Sequence, residues 1–163
     1  MTTEAAAFDE VTQQFTLAET PDVPGDCWRA AVASVLRKPL DLVPHFILFG
    51  DSWPQAFDLW LAWEGLRQHG TRTDVIPDEV CIVGGPSPRG ILHACVGMNG
   101  RIVWDPHPSR DGLLSVTHVT VLRPRRVVDS LGEHFAGAEH DCVASDDYRD
   151  DPCWTHGCRE VGT

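Results

Sequence analysis

The stretch of sequence that decides the fold is residues 25–36, GDCWRAAVASVL. A turn cluster with two prolines and a glycine occupies residues 20–25 and prevents a helix there. From Asp26 to Arg37 the residues are small and apolar on almost every side, which predicts a helix buried on most of its faces. Cys27 lies at the start of this helix, where unpaired N–H groups and the helix dipole stabilise a thiolate. The stretch therefore predicts a buried helix with a reactive thiol, although Cys27 taken alone also fits a small core residue.

The rest of the first 123 residues is predicted to contain one further helix, followed by a series of strands. The second helix is predicted to begin at a cap, Asp51 or Ser52, and to end at Gly70. Five short strands follow, at residues 73–76, 80–83, 92–97, 101–105 and 117–122. An Asn-Gly pair at residues 99–100 predicts a hairpin between the third and fourth. The predicted class is α+β, with a buried N-terminal helix packed on an antiparallel sheet of about five strands.

The composition restricts the classes of partner. With 13 basic and 24 acidic residues among 163, the chain has a formal charge of −11, which argues against nucleic acid and against an anionic membrane surface. No apolar run is long enough to span a membrane, and no secretory signal is visible at the acidic N-terminus. A cytoplasmic location is therefore expected, where the six cysteines are thiols or nucleophiles before they are disulfides.

The residue composition along the sequence predicts three segments. Residues 1–18 are interpreted as a loose polar lead-in, residues 19–123 as the main domain, and residues 124–163 as an extension. The extension contains nine acidic residues and four arginines. It is interpreted as an acidic appendage and not as a second domain.

A second pair of residues supports a chemical role for Cys27. His93 stands at the start of a predicted strand, and Asp105 ends the next strand across the hairpin. Antiparallel neighbours bring such ends together, so that a carboxylate can orient an imidazole and the imidazole can take a thiol proton. A strand-end histidine and a turn carboxylate are the simpler interpretations of each residue alone, but the ordered triple is harder to obtain by accident.

The chain also resembles a known family in two separate blocks. Residues 25–36 with the following Pro-Leu-Asp-Leu-Val-Pro-His-Phe (39–46) resemble the nucleophile segment of small papain-like cysteine peptidases. The branch is that of bacteriocin-leader (double-glycine) peptidases and of short stand-alone phage and bacterial members. The second block, residues 87–97 and 103–113, is similar to the same group, and the resemblance covers about residues 19–123.

The resemblance implies roles for the triple and a reaction. Cys27 would be the nucleophile, His93 the general base and Asp105 the orienting acid. The expected reaction is cleavage of a peptide, isopeptide or other amide bond through an acyl-enzyme, without a cofactor, on a peptide or protein substrate. Whether water or an amine resolves the acyl-enzyme stays open, as do the physical substrate and the oligomeric state.

The chain departs from the family where an oxyanion-binding glutamine is usual. Glu19-Thr20 stands where the branch has Gln-Thr, and an ionised glutamate cannot donate a hydrogen bond. Thr20, the backbone N–H of Cys27 or a protonated Glu19 are possible replacements. The alternative function is a catalytically weak or inactive papain-like fold that serves as a binding or regulatory module.

Further candidates surround this predicted cleft. Trp28 follows the nucleophile, and core packing is its alternative interpretation; His107 and Arg89 lie on the flanking loops, where the arginine would favour a carboxylate-bearing substrate. No metal is expected in the main domain. A less favoured zinc site in the extension would use four of five residues: His140, Cys142, Cys153, His156 and Cys158. Their spacing lacks the paired C-x₂₋₄-C pattern, and free thiols or a Cys153–Cys158 disulfide are the alternatives.

Overall fold

The computed structural model describes residues 7–16 and 22–125, which form two α-helices and one five-stranded sheet. The helices are α1 (Cys27–Leu36) and α2 (Trp53–Trp63), and two 3₁₀ helices, Leu40–Leu42 and Phe46–Ser52, lie between them. The strands are β1 (Leu66–Arg72), β2 (Cys81–Pro86), β3 (Leu92–Met98), β4 (Arg101–Trp104) and β5 (His118–Pro124). The predicted α+β class with a five-stranded antiparallel sheet is confirmed at this level.

The sheet has the order β1-β5-β2-β3-β4, and every neighbouring pair is antiparallel. Strands β3 and β4 form the hairpin that the Asn-Gly pair predicts, with positive φ angles of 52° at Asn99 and 74° at Gly100. Because β3 and β4 are antiparallel neighbours joined by a tight turn, the start of β3 and the end of β4 lie at the same edge of the sheet. This edge carries the candidate site.

Helix α1 packs over the centre of the sheet, as its composition predicts. Ala30, Ala31, Val32 and Ala33 are completely buried, and the helix contacts β3 and β2. Small side chains let the helix approach the sheet closely, so that Cys27 at its first turn reaches the beginning of β3. A second, smaller buried cluster consists of five strand residues: Cys81, Val83, Cys95, Val119 and Val121.

The end of the second helix differs from the prediction. Helix α2 ends at Trp63, and Gly65, with φ of 71°, turns the chain out of it. Residues 66–70, predicted as the end of the helix, belong instead to β1 (Leu66–Arg72), which pairs with β5 along its whole length. The prediction of a strand at residues 73–76 is also wrong, since β1 ends at Arg72 and a bend follows. The error arises because the glycine nearest the end of the apolar stripe, and not Gly70, terminates the helix.

A second difference concerns Gly84 and Gly85, which lie beyond the predicted strand at residues 80–83. Both belong to β2, and Gly85 pairs in register with His93. A Cβ atom on Gly85 would lie 2.0 Å from the backbone oxygen of Ser115. The glycine is therefore required by the close approach of a neighbouring loop, which a sequence alone does not reveal.

Candidate functional site

Cys27 is the first residue of α1, and the turn before it is fastened to the N-terminal segment. The completely buried carboxylate of Asp26 accepts hydrogen bonds from the backbone N–H groups of Gln14 at 2.9 Å and Phe15 at 2.8 Å. It also forms an ion pair with Arg29 at 3.4 Å. Its side chain makes no cap to the helix, and instead it fixes the chain before Cys27.

Residues 7–16 are hydrogen-bonded to α1 and to β4. The Asp9 N–H donates to the Ser34 carbonyl at 3.0 Å, near the end of α1, and the Trp104 indole donates to the Val11 carbonyl at 2.9 Å. The segment thus runs along α1 and meets β4. Its hydrogen bonds hold the start of α1 against the edge of the sheet where the site lies.

His93 and Asp105 form a buried pair at that edge. The Nε2–H of His93 donates to Oδ1 of Asp105 at 2.6 Å, and the two residues are only 2% and 6% exposed. The carboxylate also accepts the backbone N–H of His107 at 2.8 Å and that of Gly112 at 2.7 Å. Three donors therefore fix the carboxylate, which in turn fixes the orientation and the tautomer of the imidazole.

The imidazole reaches Cys27 as well. The thiol of Cys27 is hydrogen-bonded to the His93 side chain and to the backbone N–H groups of Ala94 and Trp28. With Nε2 held by Asp105, the other ring nitrogen, Nδ1, is left for the sulfur. The structure thus brings the three predicted residues, Cys27, His93 and Asp105, into one continuous series of hydrogen bonds.

The interactions among these three residues shift the pKa of each of them. Burial raises the pKa of the Cys27 thiol. The hydrogen bond and the positive charge of His93, together with the backbone N–H groups of Ala94 and Trp28, outweigh it and leave the pKa below its ordinary value of 9.0. Burial lowers the pKa of His93, yet the bonds to Asp105 and Cys27 raise it to about 11. Burial raises the pKa of Asp105, and the donors around it hold it well below its usual range. The interaction with His93 therefore favours the thiolate form of Cys27, beside an imidazolium and a carboxylate.

A second thiol lies beside the pair and was not predicted as part of the site. Cys95 follows His93 by two residues on β3, is completely buried, and is hydrogen-bonded to the His93 side chain. Burial raises its pKa, whereas the pKa of Cys27 is lowered. The signal was present as the spacing His-x-Cys, which on a strand places both side chains on one face.

The flanking loops carry the remaining predicted residues. The His107 ring lies 6.0 Å from the His93 ring, centroid to centroid, and its Nδ1 bonds the Ser109 hydroxyl at 2.8 Å. Arg89 donates to the same hydroxyl at 3.1 Å, and its Nε and Nη2 atoms are buried without a partner among the described residues. Burial and the charge of Arg89 together lower the pKa of His107. The Arg89 guanidinium also forms an ion pair with Asp111 at 3.5 Å, which partly neutralises its positive charge beside the site.

Trp28 points away from these loops into the core. It is 3% exposed and packs edge-on against Trp53 and Phe57, with ring centroids 5.8 and 5.5 Å apart. In this position it supports the first turn of α1 from beneath. The core interpretation of this tryptophan agrees with that placement.

Gln13 is a further residue that sequence reasoning did not connect with the site. It is 8% exposed, its backbone N–H donates to the Pro106 carbonyl at 3.0 Å, and its side-chain amide donates to the Phe15 carbonyl at 2.6 Å. A Cβ atom on Gly25 would lie 3.8 Å from the amide nitrogen. A glutamine thus lies between the turn before Cys27 and the residue after Asp105, although fourteen positions separate it from Cys27 in the sequence.

Several predicted residues fall outside the described ranges. Glu19 and Thr20 are among residues 17–21, and the five candidate zinc ligands of the extension are among residues 126–163. The structure gives no placement for any of them. Their predicted roles stay predictions.

Comparison with known proteins adds no relative. The chain matches no family model, and neither a curated protein nor a solved structure is significantly similar to it. Within residues 7–16 and 22–125, no helix combines the length and the apolar character needed to cross a bilayer. The chemistry of the site therefore has to be argued from its own geometry.

Proposed function

We propose that this protein is a thiol-dependent hydrolase with a papain-like arrangement, which cleaves a peptide or another amide bond through a Cys27 acyl-enzyme. One observation carries the proposal: Cys27, His93 and Asp105 are joined by hydrogen bonds in this order, at the first turn of a buried helix. A structural cysteine needs neither an imidazole nor a carboxylate behind it. The family resemblance of the two sequence blocks points to the same reaction.

The reaction begins from the separated charges. The Cys27 thiolate attacks the carbonyl carbon, a C–S bond forms, and the carbonyl electron pair moves to oxygen. The His93 imidazolium gives its Nδ1 proton to the leaving amine, and the C–N bond breaks. Water then attacks the thioester while His93 takes a proton from it, and the thiolate is released with the acid product.

The developing oxyanion needs hydrogen-bond donors near the sulfur. The first backbone N–H groups of α1 have no acceptor within the helix and point toward that position. In this proposal the Gln13 amide is the side-chain donor, because it is buried at the same end of α1. It takes the place of the glutamine that the family pattern leads one to expect at Glu19.

The proposal is tested first by the reactivity of the thiol. In reduced, metal-free protein at neutral pH, iodoacetamide should modify Cys27 much faster than Cys81, whose pKa burial raises to about 11, or Cys95. Peptide mapping by mass spectrometry identifies the modified residue, and Cys27→Ala removes the fast phase. If Cys27 reacts no faster than the two buried thiols, the hydrolase proposal is wrong.

Turnover separates the enzyme from the binding module. The activated ester p-nitrophenyl acetate should transfer its acetyl group to Cys27, and hydrolysis should then release acetate. The wild type should turn the ester over repeatedly, and Cys27→Ala should not. Acylation without release would favour the alternative function, a papain-like fold that binds without efficient catalysis. The substitution of Glu19 for the usual glutamine is the observation that favours this alternative.

A further inference from the structure

The buried pair of His93 and Asp105 has a third neighbour that the proposed hydrolysis does not use. Cys95 lies on the same strand and the same face as His93, because strand side chains alternate with a period of two. One nitrogen of His93, the sulfur of Cys95 and one oxygen of Asp105 all lie within 4.8 Å of one another. All three residues are buried. The structure therefore holds an imidazole, a thiol and a carboxylate around one point.

These three groups are ligands that a zinc ion accepts. Zinc bonds to nitrogen, sulfur and oxygen measure about 2.0–2.3 Å, which places the ligand atoms of a tetrahedral site about 3.5 Å apart. The Nε2–Oδ1 distance of 2.6 Å between His93 and Asp105 has to lengthen by about 1 Å for an ion to enter. The Gly112 N–H bond to the other carboxylate oxygen, Oδ2, holds Asp105 near its place during this change.

We propose that His93, Cys95 and Asp105 bind one thiophilic divalent cation such as Zn²⁺, and that the bound ion inhibits the Cys27 thiol. On binding, Zn–S, Zn–N and Zn–O bonds form, while the Cys95 S–H proton and the His93 Nε2 proton leave to solvent. No electron is transferred. A solvent molecule or Cys27 supplies the fourth ligand.

The inhibition follows from the residues that the ion occupies. His93 can no longer accept or deliver a proton in concert with Asp105, and the carboxylate no longer orients the ring. A sulfur ligand in a dry setting favours Zn²⁺ over Ca²⁺ or Mg²⁺, which prefer oxygen ligands and water. This regulatory half rests on the proposed function, whereas the metal site itself does not.

Cobalt binding tests the site directly. The full-length chain is reduced, freed of metal and titrated with Co²⁺, whose absorption reports thiolate coordination. All proteins in this test carry Cys142→Ser, Cys153→Ser and Cys158→Ser, so that the extension contributes no thiolate. The expected result is one equivalent of Co²⁺ with a sulfur charge-transfer band, which Zn²⁺ displaces.

Substitutions then identify the sulfur that binds. Cys95→Ser and Cys95→Ala should each weaken metal binding by more than about 100-fold. Loss of a ligand costs more affinity than loss of a residue that only orients a ligand. Cys81→Ser is the matched control, because Cys81 is equally buried on the same sheet but bonds the Gly97 carbonyl, and it should bind as the parent does. Absence of the band in the parent, or a band that depends on Cys27 and survives Cys95→Ser, would overturn the site.

Thiol labelling tests the inhibition. One equivalent of Zn²⁺ should slow iodoacetamide modification of Cys27 in the parent, EDTA should restore it, and both Cys95 variants should be insensitive. If cobalt binds through Cys95 but labelling is not slowed, the inhibitory half is wrong. If metal-free Cys27 is unreactive, the hydrolase proposal fails while the cobalt titration still decides the metal site.

Discussion

Replacement of His93 by glutamine tests the reasoning about the site most sharply. In the wild type, burial opposes ionisation of Cys27, and His93 contributes the largest of the effects that favour it. A thiol with the ordinary pKa of 9.0 is ionised in about one molecule in a hundred at neutral pH. Without His93, the largest cause that lowers the pKa of Cys27 is lost while burial still raises it, so the pKa rises and the ionised fraction falls.

The expected effect is a fall of at least about tenfold in the rate of Cys27 alkylation at neutral pH, because each pKa unit changes the thiolate fraction tenfold. The pH profile should change in the same direction. The wild-type rate should persist below the ordinary titration range of a thiol, whereas the His93→Gln rate should keep rising into the alkaline range. Rates are measured with iodoacetamide in the presence of EDTA, with peptide mapping to follow Cys27 alone.

His69→Gln is the matched control for this experiment. His69 is exposed on β1, which lies at the opposite edge of the sheet from the hairpin that carries the site. Its substitution should leave both the rate and the pH profile unchanged. Circular dichroism and thermal unfolding show that each variant is folded. An unchanged profile in His93→Gln, or an equal loss in His69→Gln, would refute the assignment of His93 as the group that ionises the thiol.

Three further substitutions test other parts of the site. Asp105→Asn should lower the free energy of unfolding by about 1–3 kcal/mol in urea titrations, since an amide cannot accept all three N–H groups that the carboxylate accepts, and it should slow alkylation of the nucleophile. Gln13→Ala should lower turnover of p-nitrophenyl acetate by about 10²–10³-fold, with little effect on alkylation of Cys27. Gln14→Ala, a substitution of the exposed neighbouring residue, should change neither turnover nor alkylation. Equal losses of turnover in the two variants would contradict an oxyanion role of Gln13. Arg89→Gln should lower the ratio of iodoacetate to iodoacetamide rates by about two- to fivefold, because one positive charge beside the site is lost. Arg123→Gln on β5 should leave that ratio unchanged, and a similar fall in both would show that the attraction is not local.

Local signals were sufficient for the elements that position the nucleophile. The small apolar residues of α1 predicted its burial, and the Asn99-Gly100 pair predicted the hairpin that brings His93 and Asp105 together. The same kind of reasoning failed after Trp63. The stretch from Leu66 to Arg72 has no apolar alternation strong enough to mark a strand, and it becomes one because β5 offers it a complete ladder of hydrogen bonds.

The site shows the same division. Residue types and chain order were enough to propose Cys27 as nucleophile with His93 and Asp105 behind it, because strand pairing across a short hairpin depends on local sequence. They could not place Gln13, whose position depends on hydrogen bonds to Pro106 and Phe15 from a segment without regular structure. Distant contacts of this kind leave no periodic pattern in a sequence.

The sequence by itself determined the class of the fold, the buried helix and the identity of the three residues in the proposed chain. Only the tertiary structure decided their electrostatic state, because the pKa of a buried thiol depends on the balance between desolvation and its partners, and both are set by distances in space. The tertiary structure also placed Cys95 against the histidine and the carboxylate, within 4.8 Å. The composition alone does not distinguish the six cysteines. Packing lowers the pKa of Cys27 and places Cys95 beside the same imidazole.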